Sequence, residues 1–102
     1  MINILYIGRH PEILETVVRL INANENWFGA GAETDEAAMD LFKKINFNLV
    51  LLGCGIEEES EEMLRNFFQK ENPNCPIVQH YGGGSGLLKN EILSALEKSK
   101  IS

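Results

Sequence analysis

Residues 2–22, INILYIGRHPEILETVVRLIN, carry the pattern that indicates the fold class of the chain. Their first six residues are apolar except for one asparagine and end at Gly8, which is typical of a strand buried on both faces of a parallel sheet. Pro11 suits the first position of a helix, and Glu12 suits its positive end. Apolar side chains then recur at helical spacing, at Leu14, Val17, Val18 and Ile21. The stretch therefore predicts a strand followed by a helix.

The same alternation recurs three more times along the chain. Predicted strands cover residues 27–32, 49–52 and 76 to about 81, and a helix follows each of them. Thr34 is the predicted cap of the second helix, and Ser60 that of the third, after an acidic loop at residues 57–59. Four such units predict an α/β fold with a doubly wound parallel sheet, flavodoxin-like, in the strand order 2-1-3-4. A functional site is then expected at the carboxyl ends of the strands, where strands 1 and 3 diverge.

Length and composition limit what this fold can do. The 102 residues suit one domain, 1–102, and the hydrophobic fraction of 44% suits one compact core. A net charge of -6 argues against binding to nucleic acid or to anionic membranes, since both need basic surfaces. Because no segment is apolar enough to span a bilayer and the N-terminus reads as a strand, we expect a cytoplasmic protein.

The two cysteines agree with that location. Cys54 and Cys75 fall at opposite ends of neighbouring predicted strands, roughly 15 Å apart at about 3.3 Å per strand residue. A disulfide needs Cα atoms within about 7 Å, so both thiols are expected to be free.

Several segments resemble the receiver domain of bacterial response regulators. Residues 4–14 are similar to the first strand and helix of a receiver, and residues 48–52 to the strand that runs into the phospho-accepting aspartate. Residues 32–38 are similar to the second strand and helix, and residues 75–78 to the fourth strand. These segments occur in the receiver order over residues 2–81, and the last helix of the chain is similar to the last helix of a receiver. The resemblance implies the receiver fold.

The chain departs from receivers at the positions that carry their chemistry. The acidic pair that holds magnesium falls on Gly8 and Arg9, the phospho-accepting aspartate on Gly53, and the hydroxyl residue near Tyr81. The fifth strand, with its lysine, is missing. Acyl-phosphate chemistry needs a carboxylate nucleophile and a cation held by oxygen ligands. The resemblance thus implies a phosphorylation-independent module for protein interaction in bacterial signalling, neither an enzyme nor a cofactor-binding protein.

The missing strand bears on possible partners. Without it, strand 4 lies at the edge of the sheet, and an uncovered edge invites pairing with another chain. The identity of a protein partner does not follow from the sequence, and a homodimer through the strand 4 edge is the preferred expectation.

A small-molecule or anion sensor is the alternative function. A glycine-rich connection precedes the last helix, where backbone amides can hold an anion with help from Arg9. The candidate residues are Gly82, Gly83, Gly84 and Ser85. The competing interpretation is a flexible connection that bridges the missing segment.

Three further features have a functional interpretation and a plainer one. His10, Cys54 and His80 end neighbouring strands and form a weak candidate zinc site, although zinc ligands usually come in close sequence pairs. The glutamates at residues 57–62 suit a weakly bound divalent cation or a basic partner, or simply a solvated helix start. Trp27 and Phe28 suit a partner anchor or ordinary packing beneath a helix.

Overall fold

A computed structural model describes the backbone of residues 1–53, 55–80 and 85–101, and the side chains of the same residues except 85, 86 and 98–101. Eight elements alternate along the chain: β1 (Ile2–Ile7), α1 (Pro11–Asn22), β2 (Trp27–Ala32), α2 (Asp35–Lys44), β3 (Leu49–Leu52), α3 (Glu58–Glu71), β4 (Ile77–Gln79) and α4 (Ser85–Ile101). The predicted succession of strands and helices is confirmed.

The four strands form one parallel sheet in the order β2-β1-β3-β4. β1 pairs with β2 along its whole length, from Ile2 opposite Trp27 to Ile7 opposite Ala32. Its other side pairs with β3, from Ile4 opposite Leu49 onward. The sheet therefore extends from β1 on both sides, with β2 on one side and β3 and β4 on the other. This arrangement confirms the doubly wound topology and the strand order predicted from the sequence.

The core lies on both faces of the sheet because alternate residues of the central strands point to opposite sides. Leu5 and Ile7 belong to the cluster that packs beneath α2 and α3, where Phe42 and Phe68 lie with ring centroids 4.5 Å apart. Ile4 and Tyr6 belong to the cluster beneath α1 and α4. All four residues of β3 are buried, as expected for a strand covered on both faces.

The glycines of β2 let α1 approach the sheet closely. A Cβ atom built on Gly29 would lie 2.8 Å from Cγ2 of Ile21, and one built on Gly31 would lie 2.6 Å from Cδ2 of Leu14. Both distances are shorter than carbon atoms tolerate, so the helix occupies the volume that side chains would fill. This contact explains why β2 has a weak hydrophobic pattern.

The helix starts agree with the sequence in one case and differ in another. Thr34 caps α2, since its side-chain oxygen accepts a hydrogen bond from the amide of Ala37 at 3.1 Å. The predicted cap at Ser60 is wrong: α3 begins at Glu58, with Glu57 at the cap position. The positive end of a helix favours carboxylates, and so the predicted acidic loop supplies the first turn of the helix.

The edge strand β4 is shorter than predicted, since it ends at Gln79 and not near Tyr81. Trp27 is buried under the helices whereas Phe28 is 38% exposed, so the two aromatic residues do not form one exposed pair. Within the described residues, no helix has the length and apolarity needed to cross a membrane.

Candidate functional site

Three strands end side by side at the edge where the sequence predicts a site. The amide of Gly8 donates to the carbonyl of Ala32 at 3.1 Å, and the amide of Gly53 donates to the carbonyl of Ile7 at 2.7 Å. The amide of His80 donates to the carbonyl of Leu52 at 2.8 Å. The strand ladders thus continue through Gly8, Gly53 and His80, which brings these residues together at the switch point of the sheet.

The side chain of Tyr6 fills the space next to both glycines. A Cβ atom built on Gly53 would lie 2.1 Å from the Tyr6 Oη and 2.5 Å from its Cζ. A Cβ atom built on Gly8 would lie 2.9 Å from the Tyr6 Cε2. The Tyr6 side chain is itself 1% exposed, so it is held within the core. A side chain at Gly53 therefore requires Tyr6 to move.

Arg9 connects the loops that follow the first two strands. Its Nη1 donates to the main-chain carbonyl of Glu33 at 2.8 Å, and its Nη2 donates to the Asp35 Oδ1 at 2.5 Å. The Asp35 side chain is 16% exposed and that of Arg9 is 29% exposed, so the pair is partly shielded from water. The Arg9 guanidinium thus links the loop after β1 to the loop after β2.

The loop after β3 also lies against Arg9. Gly55 has a φ angle of +82°, a conformation that side chains rarely adopt, and a Cβ atom built there would lie 3.2 Å from the Arg9 Cβ. Glycine at this position lets the loop turn beside the arginine stem.

His80 forms the far side of the site. Its Nδ1 lies 3.1 Å from the Glu91 Oε1 on α4, and its ring packs edge-on to the Tyr6 ring, with centroids 6.3 Å apart. His80 is 4% exposed, and the side chain of Glu91 is 20% exposed. The pair ties the last helix to the end of β4 through a polar contact in an otherwise apolar cluster.

The predicted site residues separate into two groups. Gly8, Gly53 and His80 end neighbouring strands, with Arg9 directly after Gly8, while Cys54, Tyr81, Gly82, Gly83 and Gly84 lie outside the described residues. Ser85 begins α4. The anion site remains a prediction, and any anion at Arg9 would compete with the Asp35 carboxylate.

The zinc candidate shares this outcome. His10 is exposed at the start of α1 and makes no side-chain cap bond, and Cys54 is not among the described residues. Over the residues that the structure describes, no three histidine, cysteine or acidic side chains are grouped to hold a metal. Cys75, at the other end of the sheet, is a free and buried cysteine.

Sequence reasoning missed the residue that defines this edge, Tyr6. The signal was present: Tyr6 is the one aromatic residue in an otherwise aliphatic β1, two positions before Gly8. A glycine also ends the neighbouring strand. The contacts of Asp35 and Glu91 were missed as well, because they join elements that are distant along the chain.

Comparisons with known proteins relate this architecture to others. Neither a protein-family profile nor a curated protein matches the sequence. Solved structures do match. A response regulator receiver domain protein from Clostridium thermocellum superposes with a TM-score of 0.79 at 13% identity, over 99% of this chain and 98% of that one.

Two other receiver structures give the same result. The response regulator TrrA from Thermotoga maritima, in complex with magnesium and beryllofluoride, has a TM-score of 0.78 at 19% identity, over 94% of this chain and 100% of that one. The receiver domain protein from Methanospirillum hungatei has a TM-score of 0.81 at 16% identity, over 98% and 97% of the two chains. With the strand order described above, these similarities show that the chain has the fold of response regulator receiver domains.

Proposed function

We propose that this chain is a phosphorylation-independent receiver-like module that acts in bacterial signalling through contacts with other proteins. The observation that carries the proposal is the position of Tyr6. Its ring fills the volume beside Gly53, the position onto which the sequence resemblance places the phospho-accepting aspartate. The chain has no carboxylate there, and the site has no room for one while Tyr6 is in place.

Arg9 supports the same proposal. In receivers the corresponding acidic pair holds a magnesium ion, whereas here a guanidinium group lies at that position and bonds to Asp35 and to the carbonyl of Glu33. The positive charge of the Arg9 side chain binds oxygen atoms of the neighbouring loop, as a bound cation would in its place. We infer that Arg9 holds the loops after β1 and β2 in this arrangement without phosphorylation.

Protein contact is the activity that this arrangement leaves open. A receiver fold whose reactive positions are filled can still present surfaces to a partner, because fold and site chemistry are separable. The net charge of -6 favours neither nucleic acid nor an anionic membrane as the partner. We therefore propose a protein partner and no enzymatic activity.

The test is an attempt to phosphorylate the chain. The protein is incubated with magnesium and acetyl phosphate, and its intact mass is measured beside that of an active receiver. We expect no added phosphoryl group on the wild type and none on Gly53→Asp. The Tyr6→Ala/Gly53→Asp double variant separates a missing carboxylate from a filled pocket. A phosphoryl group acquired by the wild type would overturn the proposal.

The sensor alternative is tested by the same protein in a thermal-shift titration with inorganic phosphate and nucleotides. A ligand at a hundred times its dissociation constant adds about 2.7 kcal/mol to the free energy of unfolding. A shift that Arg9→Met abolishes would favour the anion site. A flat response would leave the interaction module as the proposed function.

A further inference from the structure

The two outer edges of the sheet differ in how their main-chain groups are satisfied. At the β2 edge, the Asn22 side chain closes the strand: its Oδ1 accepts from the Gly29 amide at 2.8 Å, and its Nδ2 donates to the Gly29 carbonyl at 3.1 Å. The amide of Trp27 is bonded as well, to the carbonyl of Asn24 at 3.1 Å. The middle of this edge is therefore unavailable to another strand.

Among the residues that the structure describes, none covers the centre of the β4 edge by hydrogen bonding. The amide of Val50 bonds to the carbonyl of Pro76 at 3.0 Å, and the amide of His80 bonds to the carbonyl of Leu52 at 2.8 Å. The main-chain N–H and C=O groups of successive strand residues point alternately to the two neighbouring strands. In β4, the even-numbered residues therefore point these groups toward β3. Ile77 and Gln79 point their main-chain groups outward, and no described hydrogen bond reaches them.

We propose that β4 pairs antiparallel with β4 of a second copy of this chain, about a two-fold axis at Val78. In that register Ile77 lies opposite Gln79 of the other copy, and the two residues exchange both of their outward hydrogen bonds. The symmetry produces the pair twice, which gives four hydrogen bonds. A self-complementary interface of this kind is what a two-fold dimer requires.

Charge makes this edge less unfavourable for a second copy than the acidic surfaces of the chain. Each chain carries a net charge of -6, so two copies repel wherever their acidic surfaces meet. The sequence Pro76-Ile77-Val78-Gln79 has no charged residue. The β4 edge therefore adds no local charge repulsion to the repulsion between the two net charges.

The cleft next to this edge is mixed in character. It has a volume of about 770 Å³ beside the start of β4; Cys75, Leu93 and Leu96 line it together with four asparagines and Glu97. Leu93 is 46% exposed, and single exposed apolar side chains are common on protein surfaces. The strand edge itself therefore carries the proposed pairing.

The strand pair is a small contact. Specific interfaces bury roughly 600–1,000 Å² on each partner, whereas a strand of three residues is only about 10 Å long. The pairing is therefore expected to be weak. We expect a reversible dimer with a dissociation constant between about 10 μM and 1 mM.

The first measurement is sedimentation of the full chain over a range of concentrations. Gln79→Pro removes an outward amide without touching the ladder to β3, so the monomer keeps its fold while the dimer loses two of its four bonds. We expect its dissociation constant to rise at least about tenfold. Gln79→Ala is the matched control, since it keeps the amide, and it should dimerise like the wild type.

The second measurement fixes the register by oxidation. Cα atoms of a non-hydrogen-bonded antiparallel pair lie about 4.5 Å apart, within the range of a disulfide, so Val78→Cys should link to itself across the axis. Ile77→Cys faces Gln79 of the other copy and should not. Peptide mapping by mass spectrometry separates the 78–78 link from any link through Cys54 or Cys75.

The β4 pairing rests on the proposed function, which treats the fold as a module for protein interaction. Different experimental results would overturn the pairing and the proposed function. A chain that stays monomeric at about 1 mM, or a dimer insensitive to Gln79→Pro and lacking the 78–78 link, overturns the β4 pairing and leaves the proposed function standing. Binding of an extended peptide at β4 by a monomeric chain would also overturn self-pairing. Acquisition of a phosphoryl group would overturn the proposed function alone.

Discussion

Tyr6 and the two glycines next to it depend on one another. The ring is packed in the core on one side and against the main chain of Gly8 and Gly53 on the other. Neither glycine is needed for an unusual φ angle, since Gly55 is the glycine with a positive φ among the described residues. Their role is to leave space for the tyrosine, so a change at one position should be felt at the other.

Gly53→Ala should destabilise the protein by about 1–3 kcal/mol, because its Cβ overlaps the Tyr6 ring. Adding Tyr6→Ala removes the overlap, so the double variant should lose less free energy of unfolding than the sum of the two single variants. Urea denaturation of the four proteins measures this coupling. Additive losses would show that the ring does not occupy the space beside Gly53.

Cys75 makes stability depend on alkaline pH. Burial raises the pKa of its thiol from 9.0 to about 11. Below pH 9 the thiol is protonated in both states and contributes no pH dependence. Between pH 9 and about 11 only the unfolded chain releases the proton, so the free energy of unfolding falls as pH rises, by up to about 2–3 kcal/mol.

The comparison with Cys75→Ala isolates this contribution from other groups that titrate at high pH. The variant should lose less stability than the wild type when denaturation is measured at pH 8, 9, 10 and 11. Parallel pH profiles would mean that Cys75 is accessible to water in the native state.

Between elements, the tightest contact is that of α1 against β2. Gly29→Ala places a methyl group 2.8 Å from Cγ2 and 2.9 Å from Cβ of Ile21, near the helix backbone, and should cost about 1–3 kcal/mol. Gly31→Ala meets the Leu14 Cδ2 at 2.6 Å and the Cγ2 of the β-branched Val18 at 2.8 Å, so its cost should be similar. Thermal unfolding of both variants tests this expectation, and a variant as stable as the wild type would contradict the close approach of α1 at that glycine.

Elements were predictable from the sequence where their signals are local. The spacing of Val17 and Ile21, the cap at Thr34 and the buried run 49–52 each lie within one element, and together they gave the strand order through the rules of parallel sheets. The predicted start of α3 and the predicted end of β4 were wrong. The first depends on the preference of the helix N-terminus for carboxylates, and the second depends on where the neighbouring strand stops pairing. The site was harder still, since Tyr6 meets Gly53 from 47 positions away along the chain.

For the whole molecule, charge sets how association responds to salt. Two copies with a net charge of -6 each repel across the dimensions of the chain, 33 × 30 × 22 Å. The screening length is about 30 Å at 0.01 M ionic strength and about 10 Å at 0.1 M. Association should therefore strengthen as salt rises over this range, as measured by sedimentation at fixed protein concentration. Weaker association at higher salt would indicate attraction between charged surfaces.

The bonds from Asn22 to Gly29 bear on how large an assembly can become. A sheet that accepts strands at both sides can grow without limit and form fibrils. In the proposed dimer both outer edges are β2 strands, and on each of them the Asn22 side chain occupies the main-chain groups of Gly29. That contact would hinder a further strand at the middle of the edge, and would therefore favour a closed pair over a polymer.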